Sequence, residues 1–337
     1  MPDRLALPGF VNAHSHAFQR RLRGRVEGGD FWAWREAMLA VAGGLTPGQV
    51  REGYAAVYRE MRAAGFTAVG EFHYLGVAEA EAALDAAEET GIAIVLLHVA
   101  YARGGIERFR QRSVAAYLEE VERLRGRGAT VGVAPHSVRA CPPDWLAEVG
   151  AYAARERLVL HVHADEQPRE IEECVAEHGV RPIELLARTG CLGRHTTVVH
   201  STHASDAELD LLADAGARIC ACPTTEANLG DGFLPVARVR EREIPLCVGS
   251  DSNVRIDPLE ELRELEGIAR RQDLRRNVIP PDDLLAIGSV AGAESLGLAE
   301  WDAIEADLRH PSLAGVARDE VLPALLFGCA ADVLSPS

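Results

Sequence analysis

Histidines and acids standing where apolar runs stop carry the chemistry of this sequence. The run Gly9-Phe10-Val11-Asn12-Ala13 ends in His14-Ser15-His16. Residues i and i+2 of an extended chain face the same way, so these two imidazoles can serve one ion. Taken alone, a His-X-His near a strand end is equally well polar surface. His163, His200 and Asp251 also follow apolar runs, and Glu166 comes three residues after His163. Three imidazoles and a carboxylate with one position left open suit zinc or iron. Such an ion lowers the pKa of water from about 15.7 to about 7, and Asp251 and Glu166 can manage the protons. That is hydrolytic chemistry needing no organic cofactor. His161, two residues before His163, reads as a deeper barrel-interior residue.

Composition removes competing chemistries. All 35 basic residues are arginine, which excludes a Schiff-base lysine, a P-loop lysine and a carbamylated-lysine bridge between two metals. Fifty-one acidic residues give a net charge of −16. With no basic block or aromatic-interleaved basic stretch, nucleic acid and anionic membrane are not expected partners. Seven cysteines, an odd number without close-set spacing, read as free thiols in a reducing compartment, and Cys220 and Cys222 as buried strand residues. No basic-then-apolar leader and no apolar span of about eighteen residues is present, so a cytoplasmic location is expected.

The elements that must position these residues alternate. Strands are predicted at 9–16, 67–72, 92–99, 130–134, 158–163, 196–200, 217–222 and 246–249, separated by helices near 77–90, 113–127, 144–156, 170–178 and 206–215. Thr46-Pro47-Gly48-Gln49 reads as a capping box with proline at the first helical position, and Asp257-Pro258-Leu259-Glu260 caps a last helix. After the first strand and before both, residues 18–41 carry Trp32, Trp34 and several arginines. Eight short strands between helices, in a chain whose 337 residues are 47% apolar, predict a (β/α)8 TIM-like barrel. A doubly wound open sheet is the alternative, but its first turn is usually Gly-rich, and here it is His-X-His. Every candidate residue then falls at the C-terminal end of a strand or in the loop after it, where barrel enzymes hold their chemistry.

These stretches resemble the amidohydrolase superfamily and, within it, the formimidoylglutamate deiminases of histidine degradation. Leu7-Pro8-Gly9-Phe10, His14-Ser15-His16, His136-Ser137-Val138-Arg139-Ala140, His161-Val162-His163-Ala164-Asp165-Glu166-Gln167, Val199-His200-Ser201-Thr202-His203 and Gly249-Ser250-Asp251-Ser252 carry the superfamily likeness. Ala17-Phe18-Gln19, Phe31-Trp32-Ala33-Trp34-Arg35, Phe72-His73-Tyr74 and Thr225-Glu226-Ala227-Asn228-Leu229-Gly230-Asp231-Gly232 carry the narrower one. The resemblance implies His14, His16, His163 and Asp251 as ligands of one divalent metal ion per chain, zinc ahead of iron. It places Glu166, His200 and Asp251 in catalysis and gives substrate contacts to Gln19, Arg35, Tyr74, His136 and Arg139. The implied substrate is a small anionic amidine, the implied reaction hydrolytic deimination, and the assembly it allows a homodimer.

Residues 9–300 are expected to form the barrel, with 1–8 and 301–337 as remnants of a small β-sandwich and a C-terminal helical segment. Two other readings stay open. One is a deaminase of another amidine, guanidine or aminoheterocycle; the other is a non-catalytic scaffold of the same fold, for which a lost ligand would be the mark.

Overall fold

A computed structural model describes residues 3–336. Eight parallel strands form one sheet in chain order: β2 (Phe10–Ser15), β3 (Phe66–His73), β4 (Ala93–Ala100), β5 (Val131–Pro135), β6 (Leu160–Ala164), β7 (Thr196–His200), β8 (Arg218–Ala221) and β9 (Leu246–Val248). A second, three-stranded antiparallel sheet pairs β1 (Arg4–Pro8) with β10 (Ala303–Asp307), and β10 with β11 (Leu334–Pro336). Among the described residues, no helix is long and apolar enough to cross a membrane.

Local signals act where they stand in the sequence. The Thr46 hydroxyl accepts from the Gln49 amide while the Gln49 side chain accepts from the Thr46 amide, opening the helix Pro47–Ala63. Asp257 accepts from the amides of Leu259 and Glu260 and opens Pro258–Asp273. The fifth barrel strand begins at Leu160, two residues later than the apolar run suggests. The Leu158 amide is still committed to the Ala153 carbonyl of the preceding helix, which ends through a left-handed Arg157. The structure adds a helix at Phe31–Gly43, opened by Asp30 accepting from the Ala33 amide, and a short one at Pro223–Leu229.

The eight-stranded sheet closes on itself between β2 and the end of β9, and the residues of that seam are candidate ligands. The His16 amide donates to the Asp251 carbonyl at 2.8 Å and the Asp251 amide to the His14 carbonyl at 3.0 Å. Below them the Asn12 amide nitrogen donates to Ser250 Oγ and its Oδ1 accepts from the Ser250 amide. A Cβ on Gly249 would lie 2.6 Å from the His14 carbonyl oxygen and 2.8 Å from its amide nitrogen, so only glycine lets the two strands meet there. Closing the barrel and bringing His14, His16 and Asp251 together are therefore one event.

Candidate active site

The strand ends β2, β6 and β9 bring His14, His16, His163 and Asp251 into one buried cluster. The His14 Nε2 stands 3.1 Å from that of His163 and 3.2 Å from that of His16. Asp251 Oδ1 lies 3.2 Å from His16 Nε2 and 3.4 Å from His14 Nε2. Nδ1 of His16 donates to the Phe72 carbonyl at 3.0 Å, and Nδ1 of His163 to the His136 carbonyl at 2.9 Å. A carbonyl can only accept, so these two rings carry their hydrogen on Nδ1 and turn a lone pair inward from Nε2.

That arrangement is a test of whether an ion fits. Electron-rich atoms at 3.1–3.4 Å repel one another unless a cation stands among them, and ligand atoms about 2.0–2.2 Å from one zinc ion are spaced about this far apart. Burial, reinforced by neighbouring imidazoles, holds His14 and His16 well below the usual histidine range and takes His163 down to about 4. The rings are thus neutral at pH 7, the form that ligates. The residues fit the ion.

Above the cluster opens a cavity of about 250 Å³. Glu166, His200 and Asp251 line its floor, and Gln19, Arg35, Tyr74, His136 and Arg139 line its walls. Every catalytic and substrate-binding candidate from the sequence reaches this one space. His14 lies beneath it, fully buried. His161 stands apart, its Nε2 donating to the Ser295 carbonyl at 3.0 Å, as expected of a deeper residue.

The structure also shows commitments the sequence hides. Arg139 Nη2 donates to Glu166 Oε2 at 2.9 Å, and Nε stands 3.4 Å from Glu170 Oε1. Glu170 is completely buried and accepts from the Glu166 amide at 3.1 Å, while the Thr202 hydroxyl donates to the Asp165 and Glu166 carbonyls. The loop after β6 is held from several sides. Gln19 Nε2 donates to the Tyr74 hydroxyl at 3.0 Å. His136 is pushed well below the usual histidine range, first by burial and then by His163 and Arg139, so it offers a neutral hydrogen bond, not a charge.

His200 meets a residue to which sequence reasoning gave no role. Its Nδ1 faces Glu226 Oε1 at 3.2 Å, and the same oxygen accepts from the Cys222 amide at 2.8 Å. Burial alone would lower the His200 pKa, but Glu166, Glu226 and Asp251 outweigh it and push it up to about 10. Glu226 lay inside a stretch singled out for resemblance; its type and position gave no local hint that it would reach β7. Glu71 is a second such residue, accepting from Ser15 Oγ and the Ala17 amide and so bracing the His-X-His turn. Left-handed backbone at Asp165, His200, Ser201, Asp251 and Asn253 clusters around the same floor. Such conformations cost of order 1–3 kcal/mol each, and they gather at functional sites.

Comparison with known proteins agrees with this geometry. The sequence model of the Amidohydrolase family matches residues 5–306. The chain is 37% identical to a formimidoylglutamate deiminase of Pseudomonas aeruginosa, with 95% of this chain and 80% of that protein aligned.

The chain belongs to the amidohydrolase family.

A solved amidohydrolase from Brucella melitensis is 31% identical and superposes with a TM-score of 0.84 over 98% of this chain and 84% of the other. An adenosine deaminase from Xanthomonas campestris, solved with bound zinc, is 22% identical and has a TM-score of 0.90 over 99% of this chain and 80% of that one, which shows the shared fold. The family is one of metal-dependent hydrolases, and in this amidohydrolase the four-residue cluster is where an ion fits.

Proposed function

We propose that this chain is a metal-dependent deiminase that hydrolyses N-formimidoyl-L-glutamate to N-formyl-L-glutamate and ammonia. The observation that carries this reading is the polarity of this cavity: Glu166 and Asp251 at the ligand cluster, Arg35 and Arg139 on the walls. Formimidoylglutamate has a cationic amidine at one end and two carboxylates at the other. Two arginines turned into one cavity of a chain with net charge −16 match the anionic end, and the carboxylates match the amidinium. The similarity to the Pseudomonas deiminase points the same way.

In this reading His14, His16, His163 and Asp251 hold one divalent ion, zinc ahead of iron. When bound, the ion supplies a water that is deprotonated at neutral pH. Glu166 takes the proton of the attacking water and delivers it to the departing nitrogen, so that ammonia leaves instead of an amide anion. Asp251 orients the nucleophile and His200 steadies it. Arg35 and Arg139 fix the substrate carboxylates, with Gln19, Tyr74 and neutral His136 as further hydrogen-bonding groups. We place the reaction in the cytoplasm, read the chain as a homodimer and read the three-stranded sheet as the remnant of a terminal β-sandwich.

The deciding experiment measures ammonia release by the metal-loaded protein on formimidoylglutamate beside formamidine, a guanidine panel and aminotriazines. Formimidoylglutamate is expected to lead, and formamidine, without the glutamate tail, to react very poorly. An uncharged aminotriazine or simple guanidine as the better substrate would overturn the reading. The aromatic wall of Phe31, Trp32, Trp34 and Tyr101 is what favours that second reading, an aminoheterocycle deaminase. A non-catalytic scaffold is disfavoured because all four ligand positions are filled and converge.

Arg139 gives a finer test. A charge-assisted hydrogen bond is worth about 1.5–3 kcal/mol, so Arg139→Met is expected to lower kcat/KM on formimidoylglutamate by roughly tenfold to a hundredfold. Turnover should fall along with affinity, because the same guanidinium touches Glu166 and the tail contacts align the amidine carbon. Steady-state kinetics indistinguishable from the parent protein would remove Arg139 from the site.

A further inference from the structure

One base serves two acids at the wall of the cavity. Arg139 Nη2 donates to Glu166 Oε2 at 2.9 Å, while its Nε stands 3.4 Å from Glu170 Oε1. Among the described residues neither that nitrogen nor that Glu170 oxygen has a hydrogen-bond partner, so Glu170 faces the guanidinium without closing on it. Burial would lower the Arg139 pKa, but Glu170 and then Glu166 outweigh it and raise it. The two acids differ in what else they can meet. Glu166 lines the cavity; Glu170 is completely buried and does not. The backbone around them is fixed. Arg103, held by both oxygens of Glu177, donates to the carbonyls of Val138 and Arg139, and the Glu170 carboxylate accepts from the Glu166 amide. Side chains can turn here where the backbone cannot.

A substrate cationic at one end and anionic at the other adds both signs of charge to this set. We propose that its arrival exchanges ion pairs: Arg139 leaves Glu166 for the tail carboxylate, the amidinium takes its place on Glu166, and Glu170 is the positioning residue that holds Arg139 at the wall throughout. The inference rests on the formimidoylglutamate reading. Glu170 cannot be the partner released, because a buried carboxylate left without its cation is strongly unfavourable. Glu166 can, because the cavity brings it a new cation. Tyr101 marks the region to which Arg139 turns: burial raises its pKa, and Arg35 and then Arg139 oppose that, so both guanidiniums act on one phenol of the wall. Before the exchange Glu166 is tied to the wall; after it, the carboxyl lies against the amidine whose nitrogen it must protonate. Selection then operates in turnover as well as in binding. A bare amidine leaves the Arg139–Glu166 pair standing, and a bare dicarboxylate offers Glu166 no cation in return.

The experiment splits the substrate into its two halves. Ammonia release from formamidine by the metal-loaded full-length protein is measured with and without glutarate, beside formimidoylglutamate. Glutarate, at concentrations that inhibit formimidoylglutamate turnover, is expected to raise kcat/KM on formamidine by at least about threefold, the worth of a weakly coupled ion pair. Arg139→Met should raise formamidine turnover by a similar factor without glutarate and abolish the glutarate response, while kcat/KM on formimidoylglutamate falls. An arginine that only binds the tail would leave formamidine unchanged, and one that only supports the fold would lower both substrates; either result overturns the exchange. So does glutarate that inhibits formimidoylglutamate yet fails to raise formamidine turnover. Glu170→Gln should lower kcat on formimidoylglutamate in the parent and add nothing to Arg139→Met, the non-additivity of a residue acting through its neighbour; equal losses in both backgrounds refute its role. Should Arg139→Met not fold with Glu170 left unpaired, the double variant removes that charge, keeps an acceptor for the Glu166 amide and is held to the same formamidine and glutarate outcomes. A parent protein that prefers formamidine to formimidoylglutamate overturns the substrate reading, and the exchange with it, before any variant is made.

Discussion

His16→Ala is expected to leave a folded protein that holds almost no metal and turns over no faster than background. Its ring contributes an inward lone pair, 3.2 Å from both His14 Nε2 and Asp251 Oδ1. No other described imidazole can swing into that place: His163 is fixed through the His136 carbonyl and His200 faces Glu226. Changing a group that merely supports a ligand typically costs about 10–100-fold in metal affinity or activity, and removing a ligand costs more. With the ion gone, the shift in water pKa from about 15.7 to about 7 is gone too. The barrel seam should survive, because His16 closes it with its backbone amide, which alanine retains. Metal analysis, thermal unfolding and ammonia release on the same preparation check all three parts. His161→Ala is the control: its bond is to Ser295, so packing should suffer while one ion per chain remains. A His16→Ala protein with full metal and activity would refute the ligand assignment. Two ions per chain at full activity would refute the single-ion reading.

The sequence made the barrel legible because parallel strands buried on both faces read as short apolar runs, and because chemistry placed at strand ends interrupts those runs with histidine and aspartate. The strand Thr196–His200 ends on His200 for that reason. The helix Phe31–Gly43 was harder to see. Phe31, Met38 and Ala42 keep a helical stripe towards the core, but Trp32, which lines the cavity, and Leu39 and Val41, half-buried against the core, are apolar too, so the periodicity is blurred. Pro223–Leu229 is seven residues long with two threonines near its start, too short for a periodic signal.

What no local pattern could give is pairing across the barrel. Glu226 against His200, Glu170 beneath Arg139 and Glu71 against Ser15 and Ala17 join strand ends far apart in the chain. Each is a buried acid, a residue type that is rarely interior unless paired, but only the closed barrel shows with what. The same closure explains why site and fold are hard to separate here. Asn12, His14 and His16 of the first barrel strand bond Ser250 and Asp251, so the chain cannot form the ligand cluster without also completing the sheet.

Glu166→Gln is expected to retain metal and bind substrate, yet lose roughly 10²–10⁴-fold in kcat, the usual worth of general acid–base assistance. Position is not what the substitution removes. Glutamine has the same length, the Glu166 amide stays bonded to Glu170, and its carbonyl stays bonded to the Thr202 hydroxyl. A glutamine oxygen can still accept from Arg139, as Glu166 Oε2 does at 2.9 Å. What is lost is a group that can take a proton and give it back. The other carboxyl oxygen, Oε1, lies 3.7 Å from His200 Nε2, which sets it over the floor where water and amidine must meet. Asp251 cannot substitute, because its Oδ1 is directed at His14 and His16. Hence the defect should appear in kcat, with metal content unchanged and KM moved far less. The contrast with Arg139→Met, where affinity falls as well, separates a proton carrier from a binding group. Near-normal turnover by metal-loaded Glu166→Gln would show that another group moves the proton.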